Sequence, residues 1–93
     1  MHYIWDTNKN ILNIRKHHID FADVPDMFNY PMLTCIDLRK DYGEERWVGI
    51  GFLKGMIAVV VFTENNQTET IRILSARKAT KHESQQFKEK LAV

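Results

Sequence analysis

A chain of 93 residues, 44% hydrophobic and 27% charged, has room for one domain spanning 1–93 with a modest core, and not for two. Its formal net charge of +1 excludes nucleic-acid binding by bulk charge, so a reading of that kind has to rest on how the charges are distributed. The single cysteine, Cys35, excludes an internal disulfide and fits a reducing compartment; within an apolar strand it is expected to be a small buried hydrophobe.

Residues 2–5 read as a short strand. Asp6 then caps a short, polar helix that carries Ile11, Leu12 and Ile14 and runs to about His17. Its last turn, Arg15-Lys16-His17-His18, sets cations at the negative end of the helix dipole. Neither a basic leader nor a long apolar stretch opens the chain, so no signal peptide is expected. Asp20 or Asp23 caps a second helix with Phe21, Val24 and Phe28 on its buried face, and Pro25 blurs its start. Four strand candidates follow at 32–37, 45–52, 56–63 and 70–76, with turns at Lys54-Gly55 and Asn65-Asn66-Gln67 and a loop through Asp41-Tyr42-Gly43. The run 56–61 is continuously apolar and reads as central; even extended to Phe62 it is too short to span a bilayer, so a cytoplasmic protein without membrane contact is expected. Thr80-x-x-Glu83 is a capping box for a last helix from 81 to about 91, with Phe87 and Leu91 on one side. The order predicts an α+β domain: an antiparallel sheet of about four strands with two N-terminal helices and one C-terminal helix, packed mainly on one face and leaving the other free for a ligand.

Charge is polarised along this framework. Residues 20–45 are rich in acids, with Arg39 and Lys40 their only bases, whereas residues 72–90 hold six Lys or Arg against two Glu. Within 71–83, Arg72, Arg77, Lys78, Lys81 and His82 crowd a strand end and a helix start, a pattern suited to phosphate. The acidic stretch 37–45 either screens that basic site or meets a partner. No Walker loop, Gly-x-Gly-x-x-Gly, nucleophile elbow or Cys-x-x-Cys is present, and His17-His18 are adjacent, so they point apart on a helix and make a poor metal pair; no metal and no cofactor are expected.

Trp5-Asp6, Lys9, Asn13, Lys16-His17, Phe21, Phe28, the Glu44-Glu45-Arg46 group, Ile71-Arg72-Ile73 and Ser75-Ala76-Arg77-Lys78-Ala79 with Glu83 together resemble the BrnT toxins, in order and over nearly the whole chain. The resemblance implies a ribonuclease of a type II toxin–antitoxin pair with a fold similar to RelE and ParE. It further implies neutralisation by a BrnA-like ribbon-helix-helix antitoxin in a 2:2 heterotetramer, DNA being contacted through the antitoxin. The family carries glycine after the Lys-His pair where this chain has His18. Histidine tolerates a left-handed cap less well, so the helix end is expected to differ in shape.

Metal-independent RNA cleavage needs a base for the ribose 2′-hydroxyl, cations for the phosphorane and an acid for the leaving 5′-oxygen. Arg46, Arg72 and Arg77 are the candidate phosphate cations, although Arg46 serves equally in an ion pair with Glu44 or Glu45, and Arg72 with a cross-strand partner such as Glu45. His17 is the candidate base or acid, with the helix-terminal cation as its bland alternative; Lys16 is a charge donor, and Glu45 a second base or a structural partner of arginine. Lys78 and Lys81 are expected on the RNA backbone. Trp47 either stacks on a base or, by alternation opposite Arg46, joins the core. Arg72 and Arg77 are an odd number apart and face one phosphate only if the strand ends or bulges near Ser75-Ala76. Two other functions fit the same residues: a non-catalytic interaction module, and a toxin of this fold acting on a target other than RNA.

Overall fold

The computed structural model describes residues 1–92. Along the chain lie β1 (His2–Ile4), α1 (Thr7–His17), a 3₁₀ segment (Phe21–Asn29), β2 (Met32–Ile36), β3 (Trp47–Leu53), β4 (Met56–Asn65), β5 (Thr70–Lys78) and α2 (Lys81–Leu91). The strands form one five-stranded sheet in the order β1-β5-β4-β3-β2. The expected antiparallel sheet of about four strands is therefore corrected to a mixed one, in which β1 pairs parallel to Thr70–Arg72 of β5. Boundaries move as well, some by one residue and three by two: β3 begins at Trp47, so Glu45 and Arg46 precede it, and β4 and β5 run on to Asn65 and Lys78.

Asp6 caps α1 as its position suggests, accepting from the Lys9 N–H at 3.0 Å. The second expected helix is instead 3₁₀ throughout. An α-helix over these residues would drive the Pro25 ring into the Phe21 carbonyl, a clash that the tighter spiral, begun by Asp20 accepting from the Ala22 N–H at 2.9 Å, does not impose. β3 and β4 are joined by Lys54-Gly55, both at positive φ, the two-residue turn whose twist matches the strands; Lys54 then reaches Asp23 at 3.0 Å.

Leu53, Ala58, Val60, Phe62, Ile71, Ile73 and Ala76 form one face of the sheet and pack against Ile19, Phe21, Val24 and Met27. Tyr3, Trp5, Phe28 and Trp47 border the same core. A close approach fixes residue 49 on this face: a Cβ there would lie 2.6 Å from the Met32 sulfur. β4 is central, with Ala58, Val59 and Val60 buried. The opposite face is not left wholly free. Phe52, alternating away from the core, meets the fully buried Phe87 edge-to-face at 5.1 Å, so α2 covers one end of it. Cys35 is exposed, contrary to the expected burial, because β2 is an edge strand with little packed over it.

Candidate functional site

The register of β5 decides where its arginines point. Ser75 pairs with Val61 and Ile73 with Phe62, so Leu74 is an extra residue in β5. Arg72 then lies opposite Thr63 and Arg77 opposite Val59, which share a face of β4. The bulge brings both arginines to the face away from the main core, about 13 Å apart for four registers of ~3.3 Å.

Arg77 is gripped by Glu83, its two Nη atoms donating to the two carboxylate oxygens at 2.8 and 2.9 Å. The same carboxylate accepts from the Thr80 N–H at 2.8 Å while Thr80 Oγ1 accepts from the Glu83 N–H, completing the capping box of α2. The Arg77 guanidinium, and after it the Thr80 N–H, pull the Glu83 carboxyl down to about 2. Because Glu83 is more acidic folded than at its ordinary 4.5, its contribution is complete above that pH and fades as pH falls toward 2. Glu83→Gln keeps a capping-box residue and removes the ion pair. It is expected to cost about 1–2 kcal/mol at neutral pH, after allowing for the partly exposed Arg77, and to flatten the acid limb of a urea-midpoint-versus-pH curve.

Beyond Arg72, β5 has an open edge where β1 stops, and the side chain of Asn13 from α1 fills it. Its Oδ1 accepts from the Ala76 N–H at 3.1 Å, and its Nδ2 donates to the Ala76 and Ile19 carbonyls at 2.9 Å each. Buried Asn13 thus substitutes for a strand and fixes α1 beside Arg77. One turn on, half-buried His17 has its pKa lowered by burial, then by the charges of Lys16, Arg77 and His18. His18 takes the left-handed cap position with φ 60°, its N–H donating to the Ile14 carbonyl at 2.8 Å. The helix end therefore has the shape a glycine would give, correcting the expectation of a different one: the satisfied cap outweighs the side-chain strain. His18→Gly is accordingly expected to stabilise the fold by about 1 kcal/mol, read as a raised urea midpoint.

Arg77 borders a groove of about 380 Å³ with Val48, Val59, Val61 and Ser75 along the sheet and Arg39 on the far wall. Arg72 belongs to a neighbouring hollow with Glu44, Glu45, Thr63 and Glu64. There Arg72 Nη2 donates to both Glu44 oxygens, at 2.5 and 2.8 Å. The expected partner Glu45 is corrected to Glu44; Glu45 stands exposed in the loop before β3. Arg46 lies 4.0 Å over the Tyr42 ring, and its buried Nε, 4.0 Å from Glu44, has no hydrogen-bond partner among the described residues. Glu44 of the acidic loop thus pairs with Arg72 on the basic face. Lys16 is exposed at the end of α1; Lys78 and Lys81 line a separate surface hollow with His82 and Lys88. Trp47 lies on the core face in an apolar pocket with Tyr3, Phe28 and Phe62, away from the groove.

Asp37 and Arg39 went unnoticed as chemistry in the sequence, where Asp-x-Arg is too common a spacing to mark a site. Among the described residues, no group of His, Cys, Asp and Glu converges so as to hold a metal ion.

A family model described as the ribonuclease toxin BrnT of a type II toxin–antitoxin system matches residues 5–83. The chain belongs to the BrnT family. RNA is therefore its substrate class and an antitoxin its partner. The match spans α1, the 3₁₀ segment, β2 to β5 and the first turn of α2, so it includes His17, Arg46, Arg72, Arg77 and Glu83. A comparison with curated proteins finds no match. No helix among the described residues is long and apolar enough to cross a membrane.

Proposed function

We propose that this BrnT chain is a metal-independent endoribonuclease that cleaves by attack of the ribose 2′-hydroxyl and so stops translation. The observation that carries the proposal is Arg77, held from behind by Glu83, with His17 on the helix that Asn13 ties to the Ala76 backbone and with its pKa lowered by burial and then by the charges of Lys16 and Arg77. Neutral His17 takes the 2′-hydroxyl proton as O2′ bonds to phosphorus. Arg77 stabilises the charge that develops on the phosphorane, and the 5′-oxygen leaves with a proton, for which Lys16, next to His17 in the chain, is the candidate donor. The products are a 2′,3′-cyclic phosphate and a 5′-hydroxyl. Arg72 and Arg46 act on the next stretch of the strand, Lys78 and Lys81 on its outer phosphates, and Glu45 as a second candidate base. Neutralisation falls to a BrnA-like ribbon-helix-helix antitoxin in a 2:2 heterotetramer, with DNA held by the antitoxin.

Purified protein incubated with total RNA in excess EDTA tests the chemistry. Cyclic or 3′-phosphate ends, absent with Arg77→Ala, are the expected result; intact RNA at high protein concentration would refute free ribonuclease activity. The pH profile supplies a second check. The rate is expected to rise with pH through a midpoint below the ordinary histidine value, and His17→Gln to remove that limb. The screening of Arg72 by Glu44 favours a second reading, a module that binds its partner through this fold without cutting RNA. Unchanged translation on expression of the chain, together with tight antitoxin binding, would support it.

A further inference from the structure

Asp37 is an unusual place for a carboxylate. Its side chain is 1% exposed, yet it accepts from Arg39 Nε at 2.9 Å, Arg39 Nη2 at 2.8 Å, the Arg39 N–H at 3.1 Å and the Tyr42 hydroxyl at 3.1 Å. Its own N–H donates to the Arg46 carbonyl at 2.7 Å, which ties the strand end in place. These bonds hold Asp37 ionised and well below the usual carboxylate range. A buried ion pair is a poor device for stability alone, since apolar side chains of similar volume serve as well or better. Here one partner is buried and the other is not: Arg39 is 73% exposed, so the buried carboxylate fixes an outward-facing guanidinium.

That guanidinium stands across the groove from Arg77. The two are built alike: each is fastened by a carboxylate through two of its nitrogens, and although Arg77 Nη1 also donates to the Lys78 carbonyl at 3.3 Å, each guanidinium has more N–H groups than these bonds use. Their charges are close enough that Arg39 works against the protonation of Arg77. Between them run Val48, Val59 and Val61, which have no charge to set between two cations. Asp37 and Glu83 line the same trough and offset the two charges, so what suits an anion there is the pair of guanidinium forks with N–H groups to spare on either side of apolar side chains.

We infer that Arg39 is a second phosphate-contacting residue of the groove, positioned by the buried Asp37, and that Arg39 and Arg77 together clamp the RNA backbone. The clamp deepens the ribonuclease proposal and rests on it for the identity of the ligand as RNA. Asp37 acts as a positioning residue and touches no substrate.

The test is binding of a 2′-O-methyl oligoribonucleotide, which lacks the nucleophile, followed by fluorescence anisotropy over a series of salt concentrations. Arg39→Ala is expected to weaken binding several-fold and to reduce the salt slope by about 0.7, the loss of one phosphate contact on a single strand. Arg39→Lys restores the slope without the full affinity, because lysine keeps the charge and loses the fork. Asp37→Asn keeps the slope and lowers affinity; if that variant unfolds, the Arg39 pair carries the result alone, with urea midpoints showing both to be folded. An Arg39→Ala protein that binds and slopes like the parent overturns the clamp, even where the parent cuts RNA. A parent that binds through Arg39 but leaves natural RNA intact upholds the clamp and refutes the nuclease. A parent that does not bind the oligomer overturns both.

Discussion

Asn13→Ala is expected to cost about 3–4 kcal/mol, a large share of the 5–15 kcal/mol typical of a domain. The side chain is buried and serves three backbone groups at once, the Ala76 N–H and the Ala76 and Ile19 carbonyls. Truncation strips all three of their partner where the open edge of β5 is covered by α1, and each buried orphan costs about 1–3 kcal/mol, reduced where water enters the space left behind. Urea unfolding should show the midpoint falling by more than about 1 M. Asn13→Asp sharpens the test. It retains an acceptor for the Ala76 N–H but turns the donor into a carboxylate facing two carbonyls, so that variant should become relatively more stable as pH falls and the carboxyl takes up a proton. A midpoint unmoved by Asn13→Ala would mean that α1 is held by packing and that Asn13 is incidental.

Arg77 is where the largest loss of activity is expected. Alanine at this position should lower kcat/KM for RNA about 10²–10³-fold, the size of effect seen when one preorganised donor to a developing oxyanion is removed. Lysine should recover little. The Glu83 carboxylate meets Arg77 through two nitrogens, and a single ammonium cannot occupy both that fork and a phosphate. The cost to folding is much smaller, because Glu83 keeps its bond to the Thr80 N–H and the pair is partly exposed. Activity and stability should therefore separate at Arg77 and fall together at Asn13, whose loss also frees the helix carrying His17. Equal activity in Arg77→Lys and the parent would mean that charge alone, without the fork, is what the reaction uses.

Much of the fold was legible because it is written in local chemistry. Asp6 and Thr80-x-x-Glu83 marked the starts of both α-helices, Lys54-Gly55 marked its turn, and the apolar run at 56–61 identified the central strand. What was not legible depends on partners far away in the chain. Nothing in His2–Ile4 says that it will lie parallel to residues 70–72, and nothing local says that α2 will turn Phe87 onto Phe52 and cover part of the sheet. Cys35 was misjudged for the same reason, since its apolar neighbours do not reveal that β2 lies at an edge. At the site, Arg77 and Glu83 were legible as a basic strand end and a capping acid, but their union is tertiary. Glu44 rather than Glu45 on Arg72 reflects how the 37–46 loop closes, which alternation along a strand cannot predict.

The extra residue at Leu74 bears on how relatives of this chain are compared. Arg72 and Arg77 share a face because five steps of sequence make four steps of sheet. A relative with its arginines four apart and no bulge would present the same surface, while one with them five apart and a regular strand would not. In aligning such sequences, the natural place for a one-residue gap is opposite Leu74, and a gap at Ser75 or Ala76 would misassign which side chains meet the ligand. Deleting Leu74 should leave the two faces unexchanged, whereas inserting a second residue beside it should turn Arg72 and Arg77 away from each other.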